Sequence, residues 1–227
     1  MRKNMYLIAG ARGSDNTEFV RRALAETGKK DPTVAYIGTA NGENTVFMEN
    51  FYAPLLREAG VGRVELVHLL GTKQASPEVR DTLLRSDLVF LSGGEVEDGI
   101  RGIPGDVRVL LRQLYDMGKV FLSVSAGTIM LGIGWPHWDD EDNRPEDAVL
   151  FDCLGFAPTI FDTHCEGEDW VELRKAVALS AEGFVGYGIP SGVCVVAAPD
   201  GGLHPTAALD AFRCENGKAV YIGKYEG

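Results

Sequence analysis

Ser125 carries the strongest chemical signal in this chain of 227 residues. It lies in Ser123-Val124-Ser125-Ala126-Gly127, between the apolar run Val120-Phe121-Leu122, which reads as a buried strand, and Thr128-Ile129-Met130-Leu131, which reads as a short helix. A serine at a sharp strand-to-helix turn has the geometry of a nucleophile elbow, with its hydroxyl raised above the sheet edge. The helix that starts there turns free N–H groups and the positive end of its dipole toward whatever the serine attacks. Ala126 and Gly127 are small enough to let a substrate approach the backbone. The G-x-S-x-G pattern is incomplete, because Ser123 stands in the place of the first glycine. The competing reading of these residues is an ordinary strand–turn–helix junction with small side chains for packing.

A serine hydroxyl is a poor nucleophile until a base takes its proton. The chain offers His68, His137, His164 and His204. His68 reads as structural, inside an apolar strand. His137 lies in an acidic loop and His204 beside Pro205 near the C-terminus. His164 follows a short strand and opens the polar turn Cys165-Glu166-Gly167-Glu168-Asp169, so it is the favoured base. The base in turn needs a carboxylate to fix its tautomer. Asp139, Asp140 and Asp142 follow the nucleophile helix, Glu166 and Glu168 follow His164, and Asp162 precedes it on the same strand. Most of these acids read as a solvated face. Gly93-Gly94, at the end of the apolar run Leu88–Leu91, could present bare N–H groups to an oxyanion or form only a tight turn. Gly10-Ala11-Arg12-Gly13-Ser14 is not a dinucleotide fingerprint.

The elements that must position these groups alternate along the first two-thirds of the chain. Strands are expected at Met5–Ala9, Thr33–Gly38, Val64–Leu69, Leu88–Leu91 and Val120–Val124. Helices are expected at Thr17–Thr27, Phe47–Ala59, after the cap Ser76, and at Val107–Met117. Fully apolar strands between amphipathic helices predict a doubly wound, mostly parallel α/β sheet covered on both faces. Ligands bind beyond the carboxyl ends of such strands, where the loops named above fall. Trp135–Glu146 reads as an acidic loop, Thr159–Asp162 as a strand and Trp170–Leu179 as a helix. Short strands from Phe184 onward predict a C-terminal antiparallel meander, with Asn216-Gly217 as a hairpin turn. No linker or repeat divides the chain, so residues 1–227 read as one domain.

A net charge of −11 argues against nucleic-acid binding, which needs a basic face. Cys153, Cys165, Cys194 and Cys214 have neither zinc-site nor disulfide-framework spacing and read as reduced thiols. The apolar run at the N-terminus breaks at Gly10, too early for a signal segment, and no stretch is long enough to span a bilayer. The expectation is a cytoplasmic protein with no membrane partner. A meander edge could support a homodimer.

Three blocks together resemble peptidase family S51, which holds dipeptidase E and cyanophycinase. They are Leu91-Ser92-Gly93-Gly94, Ser125-Ala126-Gly127 and Phe161-Asp162-Thr163-His164. The resemblance runs from the first strand to Gly192 and implies a fold related to class I glutamine amidotransferases, with serine in place of the cysteine nucleophile. It implies Ser125 as nucleophile, His164 as general base, and the Gly94 and Ala126 N–H groups as the oxyanion hole. Dipeptidase E-like members take their acid from the loop after the nucleophile helix, where Asp140 falls closest, with Asp139, Asp142 or Glu166 as alternatives. Cyanophycinase-like members take a glutamate from a later turn, and here Ser191 stands there in Gly188-Ile189-Pro190-Ser191-Gly192. Glu95-Val96 replaces the family's polar pair after the glycines, and Cys165 its aromatic after the histidine. Glu95, Glu97, Glu166 and Glu168 predict an acidic cleft rim unfavourable to an aspartyl substrate, with Arg101 and Arg174 as the nearest sites for an anionic group. The function implied is a serine peptidase for short peptides, with no metal or organic cofactor. The rivals are an amidase or esterase using the same serine, and a non-catalytic small-molecule binder.

Overall fold

The computed structural model describes residues 1–10, 16–137 and 147–227. Its main sheet grows from the apolar runs. Strands β1 (Met5–Ile8), β2 (Thr33–Ile37), β3 (Arg63–Leu66), β4 (Leu88–Leu91) and β5 (Val120–Val124) are mutually parallel in the order β1-β5-β4-β2-β3. Every residue of β1, β4 and β5 is buried, so these strands carry no alternation of polar and apolar residues. Met5 and Leu7 pack into one core and Tyr6 and Ile8 into another, so the sheet is covered on both faces.

Helices α1 (Thr17–Thr27), α2 (Thr45–Phe47) and α3 (Ala53–Ala59) come first, with a π-helical turn, Met48–Tyr52, joining the last two. They lie on the Tyr6 side, where Phe19, Val20, Leu24 and Leu56 pack. Helices α4 (Pro77–Arg85), α5 (Val96–Arg101), α6 (Gly105–Asp116) and α7 (Ala126–Met130) cover the Leu7 side through Leu83, Ile100, Leu111 and Met130. The Ser76 hydroxyl caps α4 by accepting the Val79 N–H at 3.2 Å, with Pro77 at the first helical position.

After α7, β6 (Gly134–His137) pairs antiparallel with β7 (Val149–Asp152). A second sheet holds β8 (Ile160–Thr163) and β9 (Val185–Ile189) in parallel, with α8 (Val171–Ala178) packed on it. The C-terminal antiparallel strands divide between the two sheets. β10 (Cys194–Ala197) and β11 (Leu203–Pro205) extend the main sheet beyond β1, while β12 (Leu209–Glu215) and β13 (Lys218–Tyr225) extend the second sheet beyond β9.

Four local expectations change. The helix expected at Phe47 begins at Thr45, because the Asn44 side chain accepts the Phe47 N–H at 2.9 Å. Helix α5 was not expected from the sequence. Trp135 and His137, read as loop, lie in β6, since the long-range pairing with Phe151 and Val149 outweighs a local pattern broken by Pro136. β3 ends at Leu66, and His68 lies outside it with a side chain 75% exposed, near the Glu43 carboxylate at 3.4 Å. It is not a core residue.

Register brings the functional loops together. Ile8 lies opposite Val124, and Leu91 opposite Ser123. The chain therefore leaves β1, β4 and β5 at one edge, placing Gly10, Gly93-Gly94 and Ser125 side by side. α7 packs on β8, and Gly132 fits there because a Cβ would stand 2.9 Å from the Thr159 carbonyl oxygen. That contact carries the end of β8 toward Ser125.

Candidate active site

Ser125 has φ 51° and ψ −122°, a left-handed conformation that L side chains rarely adopt. Strain of about 1–3 kcal/mol at such a residue persists only where its surroundings over-determine it. Here the Ser125 N–H donates to the Ile8 carbonyl at 2.9 Å, and its own carbonyl accepts the Thr128 N–H at 2.7 Å. Ser123, the departure from the elbow pattern, is fully buried, and its hydroxyl lies 2.9 Å from the Thr128 hydroxyl. The Thr128 hydroxyl donates on to Ile8 at 3.1 Å. A serine at this position thus braces the turn from below. Gly127 has no room for a side chain, because a Cβ would overlap the Leu91 carbonyl and stand 2.8 Å from that of Ser92.

The Ser125 Oγ lies 2.8 Å from His164 Nε2. His164 also has a positive φ, 50°, and its N–H donates to the Ile189 carbonyl at 2.9 Å. The imidazole is in direct reach of the hydroxyl proton, the first geometric requirement of a general base. His137 instead lies 2.6 Å from the Glu97 carboxylate, and His204 sits on β11.

The glycine pair faces this dyad. A Cβ on Gly93 would stand 3.2 Å from the Ser125 Cβ and 2.9 Å from the Tyr52 hydroxyl. Asn41 holds the turn, its side-chain amide donating to Ser92 Oγ at 2.9 Å and to the Gly93 carbonyl at 3.3 Å. Gly94 has φ 143°, and the next N–H, of Glu95, donates to Ala40 at 2.7 Å. At the first position of α7 the Ala126 N–H has no acceptor within its helix. Asn41 and Tyr52 are additions to the sequence reading. Asn41 has a sequence signal in the Gly38–Gly42 loop after the second strand. Tyr52 has none.

The acids separate by location. Asp140, Asp139 and Asp142 lie outside the described residues. Glu166 accepts the Ser191 N–H at 3.1 Å. Burial pushes the Glu166 carboxyl up, but the Ser191 hydroxyl, nearby backbone N–H groups and the charge of His164 outweigh it and hold the carboxyl below its ordinary value. Arg101 pairs with Glu97 and Arg174 with Asp169, so both arginines already have carboxylate partners.

Asp162 is 1% exposed, and one of its oxygens accepts the Thr163 N–H at 2.7 Å. Its other oxygen, the Thr163 hydroxyl and one Glu172 oxygen are buried polar atoms without hydrogen-bond partners among the described residues. Burial pushes the Asp162 carboxyl up to about 7; the Thr163 N–H opposes it, as do the nearby Cys165 thiol and Leu173 N–H, whose contacts fall short of full hydrogen-bond geometry at the second oxygen, and the Glu172 charge adds to it. The folded state therefore holds a proton that the unfolded chain releases near pH 4. Stability from this group is full below pH 4 and is lost as pH rises to 7, by up to about 4 kcal/mol. Urea denaturation across that range should show the decline, and Asp162→Asn should flatten it.

An open cavity of about 710 Å³ holds Ser125 and His164 with Gly10, Phe47, Phe51, Tyr52, Val124, Ser191 and Gly192. Burial pushes the Tyr52 phenol up to about 12, against a hydrogen bond from the Gly93 backbone, so the phenol stays protonated.

The family model described as Peptidase family S51 matches residues 5–202. The chain belongs to peptidase family S51. No curated protein matches it. Among solved structures it resembles a peptidase from an acI-B1 Actinobacterium at 14% identity and a TM-score of 0.74, covering 100% of this chain and 98% of that one. It also resembles a peptidase E-type protein from Listeria monocytogenes EGD-e at 17% identity and a TM-score of 0.61, covering 91% of this chain and 98% of that one. At those identities the likeness concerns the fold. As an S51 member the chain is a peptidase, and the described residues contain no helix long and apolar enough to cross a membrane.

Proposed function

We propose that this S51 member is a serine peptidase that hydrolyses short peptides in the manner of dipeptidase E, through one catalytic domain. The observation that carries the reading is the 2.8 Å approach of Ser125 Oγ to His164 Nε2 across two positive-φ turns. Ser125 attacks the scissile carbonyl as His164 Nε2 takes the hydroxyl proton. The developing oxyanion is held by the Gly94 and Ala126 N–H groups, each worth about 3 kcal/mol in such sites. His164 returns the proton to the leaving amine as the C–N bond breaks. Water, deprotonated by His164, then releases the acyl group. Asp140 is the proposed acid behind His164. Glu166 is the alternative, supported by its electrostatic coupling to that histidine.

A panel of dipeptides with acidic, basic, apolar and small residues, followed by release of free amine, tests this reading. Hydrolysis abolished by Ser125→Ala supports it. Turnover of esters or simple amides without peptides would instead make the protein an acyl hydrolase of another kind. Retained hydrolysis in Ser125→Ala would remove the mechanism.

The four free cysteines support a reducing, cytoplasmic location. β13 is an outer strand with Val220, Tyr221 and Ile222 exposed, which supports a homodimer formed through that edge. Light scattering should give twice the 24.6 kDa of one chain.

A further inference from the structure

The cavity wall beside Ser125 and His164 is aromatic. Met48 and Tyr52 are buried in the core, one residue after Phe47 and Phe51 on successive turns. Phe47 and Phe51 line the cavity together with the edge of Tyr52, and Phe47 also packs against that core. The Phe47 and Phe51 ring centroids are 4.8 Å apart, and Phe47 meets the Tyr52 ring edge-on at 5.4 Å. Phe51 is 61% exposed, although a ring this large is normally drawn into a core. A substrate side chain laid on this wall would remove apolar surface of both partners from water.

Charge points the same way. Among the described residues lining the cavity there is no Lys, Arg, Asp or Glu. An aspartyl side chain placed there would lose its hydration without gaining a lysine or arginine partner among the described lining residues, a costly exchange. The two arginines best placed by sequence to receive an anion, Arg101 and Arg174, are paired with Glu97 and Asp169.

We infer that Phe47, Phe51 and Tyr52 form a specificity subsite that takes an apolar, preferentially aromatic, side chain flanking the scissile bond. The substrates are then short peptides with phenylalanine, tyrosine or leucine at that position rather than aspartate. This inference rests on Ser125 and His164 being the catalytic dyad.

The test measures kcat/KM of the full chain on two dipeptide series, X-Ala and Ala-X, with X as Phe, Leu, Ala, Asp or Lys. In at least one series Phe should exceed both Ala and Asp by about 10- to 100-fold, the range expected for filling an apolar pocket. Phe51→Ala should reduce the Phe-to-Ala ratio about tenfold, chiefly through KM. Phe51→Arg, at the same exposed position, should move the preference toward Asp. A wild type that labels at Ser125 with a fluorophosphonate and cleaves dipeptides, yet prefers Asp or is indifferent to X, would overturn the subsite and leave the peptidase reading intact. A folded wild type that neither labels nor cleaves would overturn both.

Discussion

Ser125→Ala should lower kcat for dipeptide hydrolysis by about a million-fold, the scale seen when a nucleophile is removed from a serine–histidine unit. The fold should not change. The bonds that hold the elbow run through the Ser125 N–H and carbonyl, to Ile8 and Thr128, and alanine keeps both. What disappears is the oxygen 2.8 Å from His164 Nε2. Because the two residues act as one unit, His164→Ala should cost about as much, and the double variant little more than either alone. Additive losses would mean that Ser125 and His164 serve different steps. Steady-state kinetics on the three variants, with thermal melts as a check of folding, decides between these outcomes.

Gly94→Ala should lower kcat by about 100- to 1000-fold and also destabilise the protein by a few kcal/mol. The side chain would overlap the Ala40 carbonyl and stand 2.9 Å from the Asn41 nitrogen. Both are backbone atoms, so no rotamer relieves the clash. The turn must move, which breaks the 2.7 Å bond from Glu95 N–H to Ala40 and displaces the Gly94 N–H proposed to hold the oxyanion. Gly42→Ala is the matched control. Gly42 is also left-handed, with φ 71°, but a Cβ there meets nothing within 4 Å. It should cost about 1–2 kcal/mol of stability and spare catalysis. Equal kinetic effects at Gly94 and Gly42 would show that backbone strain, not the position of the N–H, explains the loss at Gly94.

The dyad is legible in the sequence because each member sits where an apolar strand gives way to a polar turn. Val120–Val124 ends at Ser125, and the strand holding Phe161 ends just before His164. The parallel sheet is equally legible, since strands buried on both faces read as nearly continuous apolar runs. Three features escape such reading, each for a physical reason. β6 depends on pairing with residues about fifteen positions away, and Pro136 hides it. The C-terminal strands show their antiparallel character locally, but only tertiary packing divides them between two sheets. The aromatic wall looks in sequence like one face of an ordinary amphipathic helix. Nothing in Phe47 or Phe51 distinguishes a cavity-lining ring from a core ring until the neighbouring Met48 and Tyr52 are seen to fill the core. Ser123, a departure from the elbow pattern, is explained by its bond to Thr128. The acids of residues 138–146 lie outside the described residues, so the choice of Asp140 rests on the family resemblance.

The most direct test of the central claim is mass-resolved labelling with a fluorophosphonate probe. The wild type should gain one probe mass on the peptide that contains Ser125, Ser125→Ala none, and His164→Ala should label far more slowly. A folded wild type that stays unlabelled, or a Ser125→Ala variant that labels as the wild type does, would contradict an activated serine at this elbow.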